Sequence, residues 1–181
     1  MEPLIRAFPS AIDIEGDGRT VVGLLAPYNE EAEVDDGFGP YVETFVPGCF
    51  SRACKGRPEY LKVQLEHNGH WVGRGSAWRD TSRGLEAELR LDNTEAGREA
   101  AFKIADGQTP GLSISFIPGR VTNARSASGM RLVKRETVRA LNHVALCQFP
   151  CYETALVEAV RSRSADRVAY WNQWTERVRR A

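Results

Sequence analysis

The 181-residue chain is sparing with the side chains that most often carry acid–base and redox chemistry: it has three histidines and four cysteines, the latter at Cys49, Cys54, Cys147 and Cys151. It also lacks net charge, 24 basic side chains standing against 24 acidic ones. A general electrostatic grip on nucleic acid is therefore not expected, and only a local basic patch remains open. No apolar run approaches the roughly 20 residues of a membrane span. Met1-Glu2-Pro3 leads into charged and turn residues without the apolar stretch of a secretory signal. These shortages point to a cytosolic protein with reduced thiols, not to a disulfide framework.

With 42% apolar residues, the chain can bury one substantial core. No linker interrupts Val21 to Val160, so one domain is expected over residues 1–160. Residues 161–181 hold six arginines against one aspartate and one glutamate, with Val168, Trp171, Trp174 and Val178 at helical spacing. They read as a basic amphipathic helix or tail, a change of character that begins near Thr154.

Within the domain, β-branched and alternating stretches predict strands over Thr20–Ala26, Tyr60–His67, Gly84–Leu91, Leu112–Ile117, Arg131–Arg139 and Leu141–Phe149. Those at 60–67 and 84–91 read as half-buried strands of an antiparallel sheet. Asp92-Asn93-Thr94-Glu95 supplies capping residues for a helix over Ala96–Asp106, and Ser51–Lys55 reads as a shorter one. The acidic segment Tyr28–Pro40 reads as a solvated loop and Gly119–Gly129 as a mobile hairpin tip. The expected fold is mainly β: an antiparallel barrel or strongly curved sheet flanked by helices.

The scarce histidines lie beside apolar segments. His67 closes Leu61-Lys62-Val63-Gln64-Leu65-Glu66-His67, and His143 opens His143-Val144-Ala145-Leu146-Cys147. Between them Gly111-Leu112-Ser113-Ile114-Ser115-Phe116 alternates so that Leu112, Ile114 and Phe116 face one way and Ser113 and Ser115 the other. Histidine can take and return a proton near neutral pH, and a serine needs such a base before it attacks a carbonyl. On composition alone each element has a plainer reading: polar strand residues for the serines, a surface turn for His67 and its neighbour His70, small buried residues for Cys147 and Cys151. His67 and His70 as zinc ligands form a third reading, without matching carboxylates or a second strong ligand pair.

Four motifs occur in a fixed order: Pro47-Gly48-Cys49-Phe50, Glu66-His67-Asn68 with a following glycine, Gly111 to Phe116, and His143-Val144-Ala145-Leu146-Cys147 with Pro150. From about Val21 to Val160 this set resembles the prohead (capsid maturation) proteases of tailed bacteriophages, whose fold is similar to that of the herpesvirus assemblins. The resemblance implies a serine endopeptidase with Ser113 as nucleophile, His67 as general base and acid, and His143 as orienting third member. It implies major capsid protein and scaffold segments as substrates, self-cleavage, and a place inside the immature procapsid in the bacterial cytoplasm. No cofactor, metal, membrane or specific nucleic acid partner is implied, and self-association stays open. The chain departs from the pattern at Ser115, where a glycine is usual, and at His143, where many relatives carry glutamate. These departures leave open a second reading, an assembly protein that keeps the protease fold as a scaffold or capsid-binding module.

Overall fold

The computed structural model describes residues 18–35, 39–66 and 70–161. Apolar, β-branched Thr20–Pro27 forms β1, followed by the short Ala32–Val34 (β2) and Tyr41–Phe45 (β3). Two single 3-10 turns, Ala53–Lys55 and Pro58–Tyr60, lead to Lys62–Leu65 (β4), Trp71–Asp80 (β5) and Gly84–Leu91 (β6). The helix Glu95–Ala105 (α1) precedes Gly111–Pro118 (β7), Val121–Arg125 (β8), Arg131–Arg135 (β9), Val138–Cys147 (β10) and Val157–Arg161 (β11).

Seven strands form one sheet in the order β11-β1-β6-β5-β4-β10-β7, and four form a second, β2-β3-β9-β8. The larger sheet is antiparallel except where β10 runs parallel to β4. It curls into a half-barrel, and the residues ahead of β11 help draw its two sides together. Leu112 N–H donates to Ala155 O at 2.8 Å, Val157 N–H to Pro110 O at 2.9 Å, and Leu24 N–H to Leu156 O at 3.2 Å.

Period-2 alternation then decides what lies inside. Val63, Leu85, Leu89, Leu91, Leu112, Val144 and Leu146 share one core with Ala100 and Ile104 of α1 and with Phe45 and Phe50. Each fully buried aliphatic of this kind contributes about 1.5–3 kcal/mol. The helix starts where Thr94 caps it, its side chain accepting from Gly97 N–H at 3.2 Å, and a Glu99–Lys103 pair supports its last turns. The motif Pro47-Gly48-Cys49-Phe50 is structural: Gly48 turns with φ +83°, and Phe50 stacks on Tyr28 and tilts against Phe45. A buried ion pair, Glu43 to Arg135 at 2.6 Å, ties β3 to β9, and Tyr152 donates to the same carboxylate at 3.0 Å.

Several expectations are corrected. The segment Tyr28–Pro40 is not wholly a loop: Ala32–Val34 pairs with β3, and Tyr28 is buried, its hydroxyl donating to Asp80. Val121–Arg125 of the supposed mobile tip form β8, paired with β9 along their length, and Ser126–Gly129 makes the turn between the two strands. The strands expected at 131–139 and 141–149 break instead at Glu136-Thr137, whose N–H groups both reach Arg120 O. Strand β6 is buried on both faces because Ser76 and Thr81 donate to the carboxylates of Glu88 and Glu86. Residues 157–161 pair with β1 as a strand, where helical character was expected from Thr154 onward. Cys151 is exposed, not buried. Among the described residues α1 is the single α-helix, and the proposed tail helix at 162–181 lies outside them.

Candidate functional site

The outer face of three neighbouring strands collects the polar residues that the motifs single out. β10 lies between β4 and β7, and two cross-strand rows can be followed through it. In one, Ser115 pairs with His143, which pairs with Lys62; in the next, Ser113 pairs with Ala145, which pairs with Gln64. Direct partners project to the same side of a sheet, so Ser113, Ser115, His143, Ala145, Lys62 and Gln64 share one face. The alternating Leu112, Ile114, Val144, Leu146, Val63 and Leu65 turn inward to the core.

Ser113 and His143 are diagonal neighbours on adjacent strands, which sets their α-carbons about 7–8 Å apart. His67 lies outside the described residues, two positions beyond the end of β4. Glu66, immediately before it, is held firmly: its N–H donates to Leu146 O at 2.9 Å and its carboxylate accepts from Gln148 N–H at 2.9 Å. Its backbone adopts φ +53°, a left-handed conformation uncommon for such a side chain.

The face also carries groups that the sequence reading passed over. The half-exposed Trp71 opens β5 opposite Gln64 and sets its indole edge-on to the His143 imidazole, 6.4 Å between centroids at 76°. Gln64 itself is buried, although alternation alone puts it on the solvent side of β4. Only the bulge that realigns β5 against β4 between Val63 and Gln64 brings Trp71 into that row. Beyond Lys62 the first row continues to Arg74, whose guanidinium reaches Asp92 at 3.4 Å.

Partial burial pushes the His143 pKa below the ordinary imidazole value, so the ring is neutral near pH 7. The thiols are shifted the other way. Burial lifts Cys147 to about 12, Cys49 to about 12 and Cys54 to about 11, and a thiol held protonated is a poor nucleophile. Of the two serines, Ser115 accepts from Asn142 Nδ2 at 3.3 Å on the exposed rim, and Ser113 lies one row further toward the barrel closure. Among the described residues no cluster of three or more His, Cys, Asp or Glu side chains could hold a metal ion.

The family model for caudovirus prohead serine proteases matches residues 11–169. No curated protein sequence matches the chain. Among solved structures, the protease of Kaposi's sarcoma herpesvirus bound to a hexapeptide phosphonate inhibitor superposes with a TM-score of 0.50 at 17% identity, covering 78% of this chain and 64% of that one. The varicella-zoster virus protease follows with 0.47 at 19% identity, covering 76% and 62%. The bacteriophage T4 capsid assembly protease gives 0.42 at 10% identity, covering 70% and 97%. The chain thus spans just under two thirds of the length of the two herpesvirus proteases.

Proposed function

The chain belongs to the caudovirus prohead serine protease family, and from that premise we propose that it is an endopeptidase of procapsid maturation whose nucleophile is Ser113. The observation that carries the reading is the placement of Ser113 and His143 as diagonal neighbours on one face of adjacent strands. In this mechanism His67 takes the Ser113 hydroxyl proton as Oγ attacks the scissile carbonyl. The imidazolium then returns that proton to the leaving amine as the peptide C–N bond breaks. Water repeats the sequence on the acyl-enzyme, releasing the new carboxylate and restoring Ser113. Neutral His143 accepts a hydrogen bond from the far nitrogen of His67 and fixes its tautomer, with less charge stabilisation than a carboxylate would bring.

β7 is the last strand in the order of the larger sheet, so an extended substrate can add alongside the nucleophile as a further strand beyond Leu112. The family's name directs the substrate choice to prohead proteins: capsid and scaffold segments, together with the protease's own termini, cleaved inside the immature head in the host cytoplasm. The catalytic domain then ends near residue 160, and the basic stretch 161–181 docks on an acidic scaffold or on a second copy.

Co-expression with the major capsid and scaffold proteins of the same phage tests the proposal. The wild-type chain should yield shortened capsid or scaffold chains, and Ser113→Ala should leave them full length. Full-length chains with both proteins, alongside normal head assembly, would favour the scaffold reading to which Ser115 and His143 lend themselves.

A further inference from the structure

Trp71 reaches the site face only because β5 gives up regular pairing there. In unbroken register with β4, Val72 would oppose Gln64 on the outer face and Trp71 would oppose Leu65 on the core side. The shift between Val63 and Gln64 prevents this: Gln64 pairs with Trp71, and Val72 is buried. Such a bulge disrupts the ladder locally and re-aims a side chain, and bulges are over-represented beside active sites. A single half-exposed indole needs no explanation by itself. One that a bulge sets against a candidate site histidine does.

The indole and the His143 imidazole have centroids 6.4 Å apart and planes at 76°, within the roughly 4.5–7 Å over which edge-to-face aromatic pairs attract. That separation lies outside the roughly 6 Å reach of a cation–π pair. The main effect of the indole on the imidazole is therefore to exclude water, in line with the burial that lowers the His143 pKa. From β4 the histidine is also faced by Lys62 directly and by neutral Gln64 diagonally, and Glu66, further along, accepts from Gln148 N–H. From β7 it is faced by Ser115 directly and Ser113 diagonally, and from β5 the same row ends in Arg74, which reaches Asp92. On its own strand Arg139 lies four positions back, and Cys147, whose thiol burial keeps protonated, four positions on. These are polar, charged or thiol side chains, whereas Trp71 brings a flat apolar surface against the ring.

We propose that Trp71 is a positioning residue for His143: its indole fixes the plane of the imidazole and keeps water from that side of the ring. The inference rests on the reading of His143 as the orienting member of the relay. A histidine in that role must stay neutral and hold one orientation, because it accepts a hydrogen bond without the negative charge of a carboxylate. The bulge in β5 serves this end by turning Trp71 outward and Val72 inward.

The test joins an NMR titration of ¹⁵N-labelled imidazoles in the full chain, with His143→Gln to assign the signal, to peptide hydrolysis by wild type, Trp71→Thr and Trp71→Phe. Threonine suits a half-exposed strand position, so the thermal midpoint should hold, and phenylalanine keeps a ring against the histidine should the threonine variant fold poorly. Trp71→Thr should raise the His143 pKa toward the ordinary value of about 6.5 by admitting water. It should reduce kcat about two- to twelve-fold, the range that the strength of an aromatic pair implies, with KM unchanged. The deficit should deepen as pH falls through about 6.5, and Trp71→Phe should restore most of both effects. A His143 titration and a kcat that match wild type in Trp71→Thr overturn the proposal. So does a raised KM with kcat and titration unmoved, which would make Trp71 a substrate contact. Failure of the underlying relay reads differently: His143→Ala would then cleave at the wild-type rate, even where Trp71→Thr shifts the His143 titration.

Discussion

Gly111, at the head of the serine strand, packs directly against Pro150 beyond the end of the histidine strand. A β-carbon on Gly111 would lie 2.6 Å from Pro150 Cδ and 2.8 Å from Cys147 O. The glycine of one motif and the proline of another therefore specify a single contact, which seats β7 against β10. Gly111→Ala should cost about 1–3 kcal/mol, as overpacking does, and should slow cleavage by shifting Ser113 relative to the histidine row. Denaturant unfolding checks the first expectation and peptide hydrolysis the second.

The Glu43–Arg135 pair is nearly closed to solvent, with side chains 7% and 13% exposed. The Arg135 guanidinium also lies 5.5 Å from the centre of the Phe116 ring, three residues after Ser113. Glu43→Ala leaves that guanidinium without its carboxylate and should destabilise the fold by about 3–5 kcal/mol. A joint replacement of both partners by apolar residues should cost much less. Equal losses in the single and double variants, measured by urea unfolding, would contradict the assigned burial.

Burial depresses the His143 pKa, and the sign of the consequence is fixed. Between the folded value and the unfolded value of about 6.5 the unfolded chain binds more protons, so stability is present above pH 6.5 and declines as pH falls. His143→Gln should flatten that decline in thermal melts. In the proposed relay the lowered His143 pKa keeps that ring a neutral acceptor, so the acid limb is expected to follow the proposed base, His67. Placing a carboxylate beside that base by His143→Glu should raise its pKa and move the limb upward. A limb unmoved in this variant would place His143 outside the relay.

Removing Ser164 to Ala181 should leave hydrolysis of a short peptide intact and reduce incorporation into procapsids or self-association. The cut falls after β11, which closes the β1 edge of the larger sheet. Loss of the cooperative melt in the truncated chain would assign the tail to the core and end the docking proposal.

What could be read in advance follows the range of the forces involved. β1 was legible because Thr20, Val21 and Val22 favour a pleated, buried strand, and α1 because Thr94 caps it locally. β5 was hidden by Gly73 and Gly75, which look like turn residues. Both are glycines because a β-carbon would run into Arg90 O at 2.4 Å and Pro58 O at 2.3 Å. Its two bulges also break the alternation a strand reading depends on. β11 was hidden because Val157–Arg161 becomes a strand only by pairing with residues 20–23, more than 130 positions earlier. The same holds for the site. Ser113 and His143 stand in recognisable motifs, whereas Gln64 and Trp71 reach the site only through the parallel pairing of β4 with β10 and the bulge in β5.

The central claim is that Ser113 is the activated nucleophile, and a peptide phosphonate tests it most directly. Such a reagent forms a stable bond only with a serine made nucleophilic by a neighbouring base, and mass spectrometry of the digested adduct locates the bond. The account predicts one equivalent of label on Ser113, abolished in Ser113→Ala and strongly slowed in His67→Ala. Label on Ser115, or labelling that persists in Ser113→Ala, would contradict it.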